Sequence, residues 1–227
     1  MICYLREKGY DLTQCRLSGA SAGALTATLT ATGADFYQAT ELALSLAAKA
    51  RVWDRGLGLL GIWGPMIEEW LHELVPNEEA GLMDFVYAGR LRILVTPIPS
   101  LGKRAISKFE SKNDLIRCNM ASVHLPWFLD GQLTTDFRGV PMIDGSFLSQ
   151  LSDYCSPEDP TVNVLCLDWN QDPVVASNAG GLSFVQALTP QGIWNLLEQG
   201  KRCAQVMDEM GEFEVLSSLA TIDEHLM

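Results

Sequence analysis

The sequence predicts an α/β fold in which helices cover both faces of a sheet, and three observations predict it. Short apolar runs such as Leu91-Arg92-Ile93-Leu94-Val95 read as strands. Longer stretches carry apolar residues at helical spacing, as at Met66, Ile67, Trp70, Leu71 and Leu74. The two kinds of segment alternate along the chain, which is the order of a layered sheet-and-helix domain. With 227 residues, 48% of them hydrophobic, the chain can bury one sizeable core, so a single domain over residues 1–227 is expected.

Taken in order, Met1 to Gly9 has the character of the end of a helix whose beginning is not visible. Gln14 to Ser18 reads as a short strand, and Ala24 to Thr32, rich in Ala, Leu and Thr, as a buried helix. Asp35 is suited to cap a helix running to Arg51, with Tyr37, Leu42, Leu46 and Ala50 on its apolar side. Pro65 to Val75 is a second amphipathic helix. Arg90 to Ile98 and Arg104 to Phe109 are strands, Lys112 to Ser122 a helix, and Gln132 to Phe137 with Val140 to Ile143 a strand pair around Gly139. After the acidic, proline-bearing loop from Cys155 to Pro160, Thr161 to Asp168 is the most apolar strand and is predicted to be central. Asn170 to Gly181 is a loop, and Pro190 to Met210 a long amphipathic helix.

Composition excludes several functions. No apolar run reaches the roughly 18 residues of a membrane span. The longest, Leu57 to Ile67, contains four glycine or proline breaks. The opening residues Tyr4-Leu5-Arg6-Glu7-Lys8 are charged and unlike a signal peptide. Cys3, Cys15, Cys118, Cys155, Cys166 and Cys203 are scattered, without C-x-x-C spacing or a neighbouring His. That pattern predicts reduced, buried thiols in an intracellular protein, and no bound metal. A formal charge of −12 argues against nucleic acid as a partner and against docking on an anionic bilayer. It leaves open a neutral lipid surface reached through apolar contacts.

The chemistry is carried by Gly19-Ala20-Ser21-Ala22-Gly23, a G-x-S-x-G sequence with a predicted strand before it and a helix after it. That context is a nucleophile elbow, in which a sharp turn exposes a serine hydroxyl beside a positive helix N-terminus. Small flanking residues let the two backbones come close. Ser21 is the candidate nucleophile, and the Ala22 N–H a candidate oxyanion donor.

A serine needs a base, and two arrangements compete. A Ser-His-Asp triad has only His72, His124 and His225 to draw on. Of these, His72 lies in an amphipathic helix, His124 could pack on Trp127, and His225 is two residues from the end. A Ser-Asp dyad would use Asp144, which follows the apolar Val140-Pro141-Met142-Ile143 and precedes Gly145 and Ser146. A free carboxylate is a weak base, with a pKa of about 4, and a dry cleft strengthens it. Asp-Gly alone is an ordinary turn dipeptide.

The order of these segments resembles the patatin-like phospholipase family, in particular its neutral-lipid branch of triacylglycerol lipases and acylglycerol transacylases. Leu17-Ser-Gly-Ala-Ser-Ala-Gly-Ala-Leu-Thr-Ala27 is similar to that branch's elbow, and Leu71-His-Glu-Leu-Val-Pro76 to its Leu-x-x-x-Leu-Pro segment. Phe109-Glu-Ser111 and Ala121-Ser-Val-His-Leu-Pro-Trp-Phe128 resemble a strand, helix and loop that follow. The family's DG[GA] signature falls on Asp144-Gly145-Ser146.

The resemblance implies a three-layer α/β sandwich with a mixed, mostly parallel central sheet. It also implies Ser21 as nucleophile, Asp144 as general base, and hydrolysis of lipid acyl esters through an acyl-enzyme without cofactor or metal. The implied substrates are acylglycerols or phospholipids, met at a lipid-droplet or membrane surface. Ser146 stands where the family has Gly or Ala and is expected to be tolerated. The family's glycine-rich oxyanion loop precedes its elbow, and this sequence is expected to be N-terminally incomplete there. Gly56-Leu-Gly-Leu-Leu-Gly61 lies after the elbow and is a decoy. The rival reading is a catalytically impaired lipid-binding homologue. Among the tryptophans, Trp70 and Trp127 are expected in the core, and Trp63 at the surface.

Overall fold

The computed structural model describes residues 1–77, 86, 88–147, 149–150, 153, 164–167 and 188–217. They form two compact units, Cys15–Tyr154 and Met1–Gln14 with Cys155–Met227.

The larger unit is a mixed α/β fold, an open sheet with helices packed on it, consistent with a three-layer sandwich. It starts with β1 (Leu17–Gly19) and α2 (Ala22–Ala31); α1 (Ile2–Glu7) belongs to the other unit. Helix α2 is buried along most of its length, and its threonines are satisfied internally. Thr28 Oγ1 bonds Asn119 Oδ1 at 3.1 Å, and Thr30 Oγ1 bonds the Thr26 carbonyl at 2.8 Å. Buried hydroxyls with such partners avoid the desolvation cost of unpaired ones.

Helix α3 (Phe36–Lys49) begins as expected at Asp35, whose carboxylate accepts the N–H groups of Tyr37 and Gln38. The Gly56–Gly61 segment forms consecutive turns, with no strand before it, leading into α4 (Trp63–Leu74). Trp70 of α4 donates its indole N–H to the Ala39 carbonyl at 2.7 Å, joining α3 to α4.

The sheet is built around β2 (Leu91–Pro97), whose Leu91, Ile93, Leu94 and Val95 are all buried. β1 pairs with it in parallel, Gly19 opposite Ile93. β3 (Arg104–Ile106) pairs antiparallel with its middle, and β5 (Val140–Ile143) antiparallel with its end, Ile143 opposite Thr96. β4 (Thr135–Phe137) completes a hairpin with β5. The sheet is mixed, and among the described pairings only β1–β2 runs parallel. Helix α5 (Lys112–Ser122), capped by the Ser111 hydroxyl, packs Leu115, Ile116 and Ala121 into the same core as Ile67, Leu71 and Ile93.

The central position belongs to β2 and not, as expected, to Thr161–Asp168. Of that segment Val164–Leu167 are described; they form no strand, and Val164 is exposed. Apolar composition alone does not make a segment a central strand; β2 is the one that pairs with β1, β3 and β5. The remaining four residues of that segment and the loops expected at 155–160 and 170–181 lie outside the described residues.

In the smaller unit, α1 (Ile2–Glu7) packs on α6 (Pro190–Glu209). Helix α6 starts at Thr189, which accepts the Gly192 N–H, with Pro190 at its first position, where no N–H is needed. The Tyr4 hydroxyl donates to Asp208 at 2.7 Å, and Lys201 pairs with Glu7 at 2.8 Å. Cys3 and Cys118 carry free thiols, and burial pushes that of Cys118 far up. Cys166, expected to be reduced, is disulfide-bonded, which corrects the reading of this cysteine. No helix among the described residues is long and apolar enough to cross a membrane.

Candidate active site

Strand β1 ends at Gly19 and α2 starts at Ala22, so the chain must reverse within two residues. A Cβ on Gly19 would lie 2.2 Å from the Gly23 carbonyl oxygen, so glycine is required there. A Cβ on Gly23 would meet nothing within 4 Å, so the motif's second glycine is not demanded by packing. Ser21 carries the turn, with φ 52° and ψ −128°. A non-glycine residue in such a conformation costs about 1–3 kcal/mol, and that strain gathers at functional turns.

Ser21 occupies the N-cap of α2, where a serine hydroxyl ordinarily accepts a first-turn N–H. Here it makes no such cap. Its Oγ instead donates to Asp144 Oδ2 at 2.7 Å. The Ala22 N–H, first of the helix, donates to none of the described residues. The elbow therefore presents a hydroxyl bonded to a carboxylate, next to an unspent N–H at a positive helix end.

Asp144 leaves the end of β5 and is fully buried. Burial without partners would be prohibitive for a carboxylate, and every side of this one is occupied. Oδ2 accepts the Ser21 hydroxyl, while Oδ1 accepts the Ser146 N–H at 2.8 Å and the Ser146 hydroxyl at 2.6 Å. The backbone is held as tightly. The Asp144 N–H bonds the His124 carbonyl at 2.9 Å, and the Asp144 carbonyl accepts the Thr96 hydroxyl at 3.0 Å. Next in the chain, a Cβ on Gly145 would fall 1.8 Å from the Leu94 carbonyl oxygen. Glycine is obligatory at 145 because the turn passes directly over β2.

Strand register explains how residues 123 positions apart meet. β1 runs parallel to β2 and leaves it beyond Ile93, while β5 runs antiparallel and leaves it beyond Thr96. Both chains thus arrive at the level of Leu94 and Val95.

Several residues of the site went unnoticed in the sequence. Ser122, the last residue of α5, accepts the Ser21 N–H on its Oγ at 3.0 Å and donates to the Leu94 carbonyl at 2.7 Å. Thr96 supports the Asp144 carbonyl. Ser146, expected only to be tolerated, donates twice to Asp144. A small polar residue two positions after an aspartate is the one signal that pointed to such a turn.

The histidines are placed elsewhere. His124 is buried, with Nε2 3.3 Å from the Gln132 carbonyl and Nδ1 without a partner among the described residues. His72 is exposed on α4, and His225 lies outside the described residues. Among the described residues, no group of three or more His, Cys, Asp or Glu could hold a metal ion.

Two tryptophans exchange their expected places. Trp63 packs against the core with its ring edge on Phe128, centroids 5.5 Å apart at 88°. Trp127 is 62% exposed, its backbone in the left-handed region at φ 66°. Trp63 opens a helix whose Gly64 abuts Leu129, which carries the ring inward, whereas Trp127 sits in a turn. Trp70 is partly buried against the core.

No family model matches the chain. Curated relatives do. Over 136 residues, 60% of this chain, it is 32% identical to patatin-like phospholipase domain-containing protein 2 of Bos taurus, covering 27% of that protein. The protein of the same name from Rattus norvegicus is 32% identical over 136 residues, with 28% of its length covered. The Homo sapiens protein of that name is 32% identical over 142 residues, with 26% covered. The matched segment thus spans only about a quarter of those relatives. Over that segment the chain is similar to these proteins, whose shared name is that of a patatin-like phospholipase domain.

Proposed function

We propose that this chain hydrolyses carboxylic ester bonds of acylglycerols or phospholipids, with Ser21 as nucleophile and Asp144 as general base. The observation that carries the reading is the 2.7 Å hydrogen bond from the Ser21 hydroxyl to a buried carboxylate, made in place of a helix cap.

In the first half-reaction the Ser21 proton passes to Asp144 Oδ2 as Oγ forms a bond to the ester carbonyl carbon. The carbonyl π electrons move to oxygen, and the Ala22 N–H at the start of α2 stabilises that oxyanion. When the tetrahedral intermediate collapses, the ester C–O bond breaks. The leaving alkoxide takes the proton from Asp144, which releases an alcohol and leaves an acyl group on Ser21. Water then repeats the sequence, giving its proton to Asp144 and its oxygen to the acyl carbon. The fatty acid departs and Oγ recovers its proton.

Ser146 leaves Oδ2 free for this exchange by engaging Oδ1. No imidazole is needed, because donor and acceptor are already in contact. Exposed Trp127, Leu133 and Phe147 supply apolar surface for a neutral lipid interface, which the acidic charge does not oppose.

Acyl release from triacylglycerol, phosphatidylcholine and a lysolipid by the purified chain tests the substrate class. Ser21→Ala is expected to lower kcat by about 10⁶, and Asp144→Asn by about 10²–10⁴, both with an unchanged circular dichroism spectrum. A fluorophosphonate probe should label the wild type on Ser21. Full activity in either folded variant would reject the dyad.

A further inference from the structure

We propose that Ser122 is a positioning residue, setting the distance between Ser21 and Asp144 through hydrogen bonds to both of their turns. The inference rests on the reading of Ser21 as nucleophile and adds a residue to which that reading gives no part.

A serine late in a helix ordinarily turns its hydroxyl back to the carbonyl four residues earlier. Ser122 is fully buried at the end of α5, and its hydroxyl reaches across to the Leu94 carbonyl of β2 at 2.7 Å. A hydroxyl has one proton and two lone pairs. With the proton committed to Leu94, a carbonyl fixed in the sheet, the lone pairs have a defined direction. One of them accepts the Ser21 N–H at 3.0 Å. The same residue's backbone carbonyl accepts the Gly145 N–H at 2.9 Å. One residue thus holds the nucleophile's N–H and the N–H that follows the base, while anchored to the strand between them.

The contact is placed where it matters for geometry. Ser21 has a positive φ, and the torsion about its N–Cα bond swings Oγ relative to Asp144. Fixing the N–H direction fixes one end of that torsion. The other end is held by the Ala24 and Leu25 N–H groups on the Ser21 carbonyl. A residue with only a structural role would affect how much protein is folded. A positioning residue changes the rate of each folded molecule.

Ser122→Ala and Ser122→Cys, the latter keeping the side chain's shape with a weaker donor, are compared with wild type and Ser21→Ala on a soluble nitrophenyl ester. The readouts are kcat per folded molecule, KM, and the rate of fluorophosphonate labelling. In Ser122→Ala, kcat per folded molecule is expected to fall about 10- to 100-fold, the range for a reacting group displaced by a fraction of an ångström to one ångström. KM should stay unchanged, labelling should slow in parallel, and Ser122→Cys should fall between. If Ser122→Ala does not fold, Ser122→Cys is decided on the same criteria. A wild-type rate per folded molecule, with Ser21→Ala inactive, would overturn the positioning role and leave the nucleophile in place. Undiminished hydrolysis in Ser21→Ala would remove the nucleophile reading, and this inference with it.

Discussion

The elbow at Ser21 and the turn at Asp144 hold two side chains 2.7 Å apart by opposite means. The elbow is strained, its backbone tied down at Ser122, Ala24 and Leu25 while its hydroxyl is kept out of the helix cap. Its serine has a positive φ, gives up its cap, and leaves the next N–H without a partner among the described residues. The Asp144 turn is saturated, with hydrogen bonds from Ser21, Ser146, and Thr96 and to His124. The difference follows from the two tasks. A nucleophile must reach a substrate carbon, so its hydroxyl is withheld from the helix cap while its backbone is fixed. A carboxylate taken out of water is tolerable only when its lone pairs are filled.

The glycines break the comparison most severely. Gly145→Ala and Gly19→Ala each place a methyl within 2.2 Å of a backbone carbonyl oxygen, at 1.8 Å and 2.2 Å respectively. Neither carbonyl lies on a movable side chain. Each substitution is expected to cost about 3 kcal/mol or more, beyond the usual overpacking range. Gly23→Ala meets nothing and lies in the first turn of α2, so it should be neutral or stabilise by up to about 1 kcal/mol. Urea unfolding of the three variants checks this. Equal losses at 19 and 23 would show that the motif's glycines act as one packing unit, against the geometry described above.

The contrast also explains what could be read from the chain. The elbow is local. Its glycine, serine, strand and helix lie within fifteen residues, and period and composition suffice to find them. Most of the helices and the strands from Leu91 to Ile143 were legible for the same reason, since each carries its own apolar pattern. The surroundings of Asp144 are not local. Ser122, Thr96 and Leu94 reach it through sheet register, and nothing in a serine at the end of a helix says that its hydroxyl will bond a strand 28 positions away. The position of the central strand was misread on similar grounds, because apolar content does not reveal how many partners a strand will have.

Ser146→Ala tests the saturated turn more gently. Oδ1 of Asp144 would lose the hydroxyl and keep the Ser146 N–H at 2.8 Å. Loss of one half-exposed hydrogen bond costs about 1 kcal/mol, which is about fivefold in kcat if it falls wholly on the transition state. A small drop in kcat with KM unchanged is expected, well short of that for Asp144→Asn. A loss as large as that of Asp144→Asn would mean that the hydroxyl itself takes part in proton transfer and that the turn is not redundant.

The smallest effect lies farther out, where the Arg138 side chain ties the β4–β5 hairpin to the start of α5. Its guanidinium donates through both Nε and Nη2 to the Asp114 carboxylate, and through Nη2 to the Lys108 carbonyl. These two elements carry Asp144 and Ser122, so the pair braces the site from its periphery. Burial alone would raise the Asp114 carboxyl, but Arg138 and the Glu110 N–H outweigh it and hold it below its ordinary value. A depressed carboxyl stabilises the fold above its unfolded pKa of about 4, and that stabilisation fades as pH falls through the lower folded value. Arg138 is 39% exposed, so the pair contributes only about 0–1 kcal/mol at neutral pH. Asp114→Asn should therefore lose little stability at pH 7. Its unfolding midpoint should converge with that of the wild type below about pH 4, and kcat should be unchanged throughout. A gap between the two proteins that persists well below that pH would show that the Asp114 side chain stabilises this region by something other than its charge, such as the Glu110 N–H that it accepts.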